Sequence, residues 1–314
     1  MKTLQAIIVG VLFLGACCGA SAEDLFVSSY YNDSIFRFDG TTGANTAQLS
    51  GGGVSRPWGL AAGPDGNLYV ASAFDSSVAR FDPNTNNYID EFTSGASITS
   101  GTSLTFGTDG NLYVADGVTS DVLRFNGTTG VFMNTFVSAG SGGLNGAQSA
   151  IFGPDGNFYV ASSNTNQILQ YNGSTGAFMG AFASGNGLSG PEQIVFGPDG
   201  NLYVANGGAG DILRFNGTTG AFIDTFIANG SGGLSDPWAL TFNGGDLYVP
   251  DHATGDVYRF DATTGAFIDD FIPASEGLGT PKELLFLPEP ATWLYCGAGL
   301  LVTGLMSLRK HRAL

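Results

Sequence analysis

One unit occurs six times in this chain, marked by an apolar–aromatic–Val triplet. The copies are Leu25-Phe26-Val27, Leu68-Tyr69-Val70, Leu112-Tyr113-Val114, Phe158-Tyr159-Val160, Leu202-Tyr203-Val204 and Leu247-Tyr248-Val249. Successive anchors stand 43 to 46 residues apart. A β-rich unit of that period predicts radial repetition, a β-propeller, in which neighbours bury one another's faces.

Four short strands can be read in each unit. An apolar run such as Leu104-Thr105-Phe106 comes first, then a turn such as Gly197-Pro198-Asp199-Gly200, then the triplet strand. Pro presets φ, Asp bonds its own backbone and Gly supplies positive φ, which is hairpin chemistry. The triplet strand is apolar on both faces, as a strand between two blades must be. A third strand such as Val122-Leu123-Arg124-Phe125, a Gly-rich turn and a strand ending in Phe complete the unit.

The ends of the array set its topology. Leu25 has no first strand before it, and Leu284-Leu285-Phe286 is a first strand with nothing after it. Pairing the last strand with the first three closes a ring and removes exposed edges. The expectation is an all-β, six-bladed propeller of four-stranded antiparallel blades over 23–287, joined at its N- and C-terminal strands.

Charge and cysteine narrow the function. Residues 23–287 carry 26 Asp and Glu against 7 Lys and Arg, a balance of −19. Arg37, Arg80, Arg124, Arg214 and Arg259 repeat at one position before an aromatic, which leaves only Arg56 and Lys282 off the pattern. Without a basic face the body has no means of binding nucleic acid. It holds no cysteine, so neither disulfides nor thiol chemistry operate in it.

Both termini carry membrane signals. Met1-Lys2, the apolar run Leu4 to Ala16 and Ala20-Ser21-Ala22 read as a signal peptide over 1–22, cleaved between Ala22 and Glu23. Leu14-Gly15-Ala16-Cys17 leaves a lipoprotein open as the alternative. At the other end, residues 291–308 are long and apolar enough for a transmembrane helix, and Arg309-Lys310-His311-Arg312 places a basic tail behind it. Pro288-Glu289-Pro290, the helix and the tail together resemble a PEP-CTERM sorting signal over 288–314. The resemblance implies a Gram-negative bacterium, transient anchoring in the inner membrane, processing by an exosortase and export to the cell surface or exopolysaccharide matrix.

Gly197 to Ala205, with its relatives in the other units, resembles NHL repeats. It is also similar to the six-bladed group of gluconolactonase-type lactonases and streptogramin lyases. The shared residues are strand and turn frame, so they speak for fold and not for activity. In such a ring the first strands line the channel, and the loops around its mouth form the default ligand site. The positions that vary there are Trp58, Thr102, Gln148, Glu192, Trp238 and Lys282 at the first strands. After the second strands they are Ser72, Asp116, Ser162, Asn206 and Asp251-His252.

Asp116, Glu192, Asn206 and Asp251 offer hard oxygen ligands that could converge on Ca²⁺ or Mg²⁺. The lactonase resemblance implies a channel metal held by such groups. Trp58 and Trp238, each after a Pro, are candidates for stacking on sugar rings or for packing at the rim. The body's only histidine, His252, cannot supply the pair of His residues that a streptogramin-lyase-type site implies. The expected function is a non-catalytic binding or scaffold protein whose partner is exopolysaccharide or a matrix protein. The alternative is a metal-dependent lactonase, hydrolase or lyase working in the channel.

Overall fold

The computed structural model describes residues 23–288. The leader 1–22, Glu289, Pro290, the helix 291–308 and the basic tail lie outside the described residues, and so does the lipoprotein alternative. Among the described residues no helix is long and apolar enough to cross a membrane.

Glu23–Leu287 forms one compact body of six four-stranded sheets. The sheet containing both ends, blade 1, runs in the order Pro281–Pro288, Glu23–Ser29, Ser34–Asp39, Asn45–Leu49. The expected three-to-one split is therefore observed, although the closing strand starts three residues earlier than Leu284 and includes Pro288. Blades 2 to 6 begin with the inner strands Pro57–Ala62, Gly101–Phe106, Ala147–Phe152, Pro191–Phe196 and Thr241–Asn243.

The triplet strands are the buried centre of each blade; Leu68–Ser72 and its counterparts Leu112–Asp116, Phe158–Ser162 and Leu202–Asn206 are buried at every residue. The triplet Tyr stitches neighbours together. Tyr69 meets Phe92 of its own blade edge-on at 4.9 Å and Phe106 of the next at 5.0 Å. The same trio recurs as Tyr113–Phe136–Phe152, Tyr159–Phe182–Phe196, Tyr203–Phe226–Phe242 and Tyr248–Phe271–Phe286. Edge-to-face pairs add about 0.5–1.5 kcal/mol each beyond the area they bury. Phe286, on the closing strand, completes the last trio, so closure is built into the aromatic core.

The turn before each Tyr shows why its residues repeat. A Cβ on Gly63 would lie 2.2 Å from the Tyr69 ring, and Gly66 has φ of +81°. Asp65 then accepts from the Tyr69 hydroxyl at 3.0 Å and pairs with Arg80 at 3.2 Å. The on-pattern arginines each face an aspartate in this way: Arg37 on Asp24, Arg124 on Asp109, Arg214 on Asp224 and Arg259 on Asp269. Most of these aspartates are exposed, so such pairs contribute at most about 1 kcal/mol each.

Candidate functional site

Pairing between inner and second strands slips once in blades 2 to 5, at Pro57/Leu60, Gly101/Ser103, Ala147/Ser149 and Pro191/Ile194. The slip falls on Trp58, Thr102, Gln148 and Glu192. A bulge there re-aims the side chain, and here it turns it into the channel. In blade 6 a bridge from Pro237 to Asp251 precedes Trp238, and regular pairing resumes at Thr241. These four residues, Trp238 and Lys282 line one cup at the channel mouth.

The cup has a floor. Glu283 Oε1 accepts from Gln193 Nε2 at 2.8 Å, linking blade 1 to blade 5, and Gln193 Oε1 accepts from the Leu240 amide at 2.7 Å. Glu283 Oε2 accepts from the Leu60 amide at 2.9 Å. Burial pushes the Glu283 carboxyl up to about 8, against these two hydrogen bonds. The cavity above the floor measures about 10 Å³, room for a single water molecule.

The mouth has two unlike halves. Over blades 6, 1 and 2, Trp238 and Trp58 lie 5.1 Å apart, and Tyr30 meets Trp58 at 5.7 Å. The Lys282 ammonium sits among them, 2.7 Å from the Trp238 ring centre, 4.6 Å from Trp58 and 5.0 Å from Tyr30. The opposite face of Trp238 stacks on His252 at 4.5 Å. Asp236 holds both, accepting from Trp238 Nε1 at 3.0 Å and meeting His252 Nδ1 at 3.0 Å. Over blades 3 to 5 the cup is polar, with Thr102, Gln148 and Glu192. Thr102 is committed to the carbonyls of Ala115 and Ala147.

Burial drives the electrostatics. Lys282 is 3% exposed, and among the described residues no carboxylate stands within 4 Å of its ammonium. Desolvation lowers it to about 7, with Glu192 and Asp236 resisting. Desolvation lifts Glu192 to about 7, with Lys282 resisting. Two groups whose ordinary values lie far apart thus titrate together near neutrality.

The structure separates the four oxygen-ligand candidates. Asp116 accepts from the amides of Thr99 (2.5 Å), Ser100, Val118 and Thr119. Asp251 accepts from those of Ser235, Asp236, Ala253 and Thr254. Asn206 accepts from Ser189 and donates to Gly187 and Asp211. All three are fully buried and clamp the loop that enters the inner strand of their own blade. Only Glu192 of the four lines the cup, and no group of three His, Cys, Asp or Glu that could hold an ion occurs among the described residues. These residues do not fit a single Ca²⁺ or Mg²⁺ site.

Trp58, Trp238 and His252 do come together. Sequence reasoning missed Tyr30, Asp236, Glu283 and Gln193. One signal was available: Ser55-Arg56-Pro57-Trp58 and Ser235-Asp236-Pro237-Trp238 differ only by opposite charges at the second place. Asp236 anchors its Trp, whereas Arg56 turns outward over Phe74 at 4.5 Å and Tyr30 at 5.3 Å.

Residues 137–267 match a family described as a repeat of unknown function, DUF6923. No curated protein matches the chain by sequence. Among solved structures, one from a nidogen/laminin complex is similar at TM-score 0.70 and 18% identity, covering 85% of this chain and 99% of that one. A protein of unknown function from Bacteroides caccae has TM-score 0.67 and 15% identity, covering 86% and 100%. Virginiamycin B lyase from Staphylococcus aureus has TM-score 0.59 and 15% identity, covering 85% and 81%. At these identities the likeness is one of fold. The chain is a six-bladed β-propeller with a binding protein's fold and a lyase's fold among its neighbours.

Proposed function

We propose that the protein is an exported, non-catalytic binding propeller whose ligand docks on the channel mouth. One observation carries this reading: six equivalent positions, four of them bulged, hold side chains unlike those of the repeated frame, gathered around a cup that admits one water molecule. A frame present in six copies is varied where the blades converge. A cup this small suits a partner resting on the surface better than a small substrate enclosed in the channel. The partner is exopolysaccharide or a matrix protein, as the sorting-signal resemblance implies.

Export by a leader over 1–22, anchoring by helix 291–308 and exosortase processing at Pro288-Glu289-Pro290 are parts of the same proposal. Replacing those three residues is expected to leave uncleaved protein in the inner membrane, read by fractionation; normal release would end the sorting hypothesis. Docking is tested by titrating the purified protein with exopolysaccharide and matrix-protein fractions. Trp58→Ala should abolish the interaction while the thermal transition remains cooperative. Undiminished binding by that variant would move the contact away from the mouth.

A further inference from the structure

The cup holds unspent hydrogen-bonding capacity of both signs. Lys282 carries three N–H donors, is 3% exposed, and has no hydrogen-bond acceptor among the described residues. Across from it Gln148 Oε1 is buried with no donor, and Glu192 lines the same wall without a hydrogen bond. Of the three, the Gln148 oxygen is the one sealed from solvent without a partner, and such an exception points to a water or a ligand group. The 10 Å³ between them takes one such group and no more.

We propose that this cup receives one hydroxyl of a neutral sugar ring at a glycan's end, accepting from Lys282 and donating to Gln148 or Glu192. The ring itself stays outside, against the edges of Trp58 and Trp238. This rests on the mouth being the docking surface and names the class of ligand. A hydroxyl, like the water it would replace, both donates and accepts, so it matches a donor on one wall and acceptors on the other. A carboxylate would satisfy Lys282 but would leave Gln148 without a donor and stand against Glu192. An ammonium would do the reverse. A hydroxyl also suits either protonation form of the Lys282–Glu192 pair near neutral pH. Trp238 offers an edge because Lys282 and His252 already cover its two faces.

The test is an array bearing neutral and uronate-rich glycans, probed with the purified protein and followed by titration of the best binder. Neutral glycans should bind. Lys282→Met, which keeps the stem's packing, and Gln148→Leu should each weaken binding about tenfold, the loss of one hydrogen bond to a charged or buried partner. The thermal transition of Gln148→Leu should be unchanged, so this variant answers even if Lys282→Met misfolds. Binding to uronates alone, no binding to any glycan, or indifference to both variants overturns the proposal. Retained sensitivity to Trp58→Ala, with glycan or matrix protein, leaves the docking reading standing; its absence as well removes both.

Discussion

Five of the six blade interfaces are copies, and the sixth is not. Between blades 2 and 3 the seam holds Tyr69, Phe92 and Phe106, and the next four repeat that trio. Between blades 1 and 2 the same three positions carry Phe26, Leu49 and Ala62. No Tyr–Asp bond is possible there, and Ala62 supplies no ring. Hydrogen bonds cross this seam as they cross others: Ser28 Oγ to the Trp58 carbonyl at 2.7 Å, the Arg56 amide to Asp33 at 2.8 Å and the Leu60 amide to Glu283, the last two matched elsewhere by the Gly190 amide to Asn166 and the Leu240 amide to Gln193. The same two blades carry Tyr30, Trp58, Arg56 and Phe74 at the mouth. Aromatic material absent from the interface core stands at the surface above it, so the place best furnished for contact is the place where the core between blades lacks the aromatic trio. Functional sites commonly depart from local consistency in this way.

The largest effect should come from opening the ring on the other side of blade 1. Deleting Leu284–Leu287 strands three strands and removes Phe286 from the last trio, so a cooperative thermal transition should be lost. An unchanged transition would refute closure. Within the ring, Tyr203→Ala removes a fully buried ring and should cost about 3–5 kcal/mol in denaturant unfolding. At the odd seam Phe26→Leu should cost only about 1 kcal/mol. Equal losses would show that the trio is not what distinguishes the five interfaces.

That asymmetry also marks what the sequence discloses. Triplet, turn and Arg positions repeat, so their role follows from the period, and blade number and closure are legible from them. The substitution of Phe26, Leu49 and Ala62 is legible as well once the copies are aligned. Asp116, Asn206 and Asp251 read as free ligands because a side chain's oxygens look available until the amides that fill them are placed. Ser162, at the same position, bonds the Asn145 amide, which shows the shared clamping role. The Glu283–Gln193 floor joins strands 90 residues apart. Nothing local encodes it, since two polar residues beside an apolar run read equally well as solvent-facing.

The floor gives the seam a pH dependence. Glu283, raised to about 8, and Glu192, raised to about 7, hold protons in the folded state that the unfolded chain releases near 4.5. Their contribution is complete below 4.5 and is lost as pH rises through 7 and 8. Lys282, lowered from 10.5 to about 7, acts oppositely, adding stability from 7 upward. The midpoint of thermal unfolding should therefore fall by about 5 °C or more between pH 5 and 7 and then level off. Glu283→Gln should flatten the first limb while losing one floor hydrogen bond, about 1–3 kcal/mol. A midpoint that rises across that window would mean the buried carboxyls are ionised in the native state.

The smallest effect is the most direct probe of the seam. Ala62 occupies the place of Phe106, Phe152, Phe196, Phe242 and Phe286, so Ala62→Phe offers the missing ring to Phe26. If packing alone separates the sixth interface from the others, the gain should approach one edge-to-face pair, about 0.5–1.5 kcal/mol, and raise the midpoint by a few degrees. Phe26→Tyr added to it should gain little, because the sequence has Ala22 four places before Phe26, where Tyr69, Tyr113, Tyr159 and Tyr203 have the Asp that bonds them. A loss of stability in Ala62→Phe would mean that Glu283, Leu285 and Leu287 already fill the space. The seam would then be finished by the closing strand's own side chains, and its lack of aromatics would be a consequence of closure.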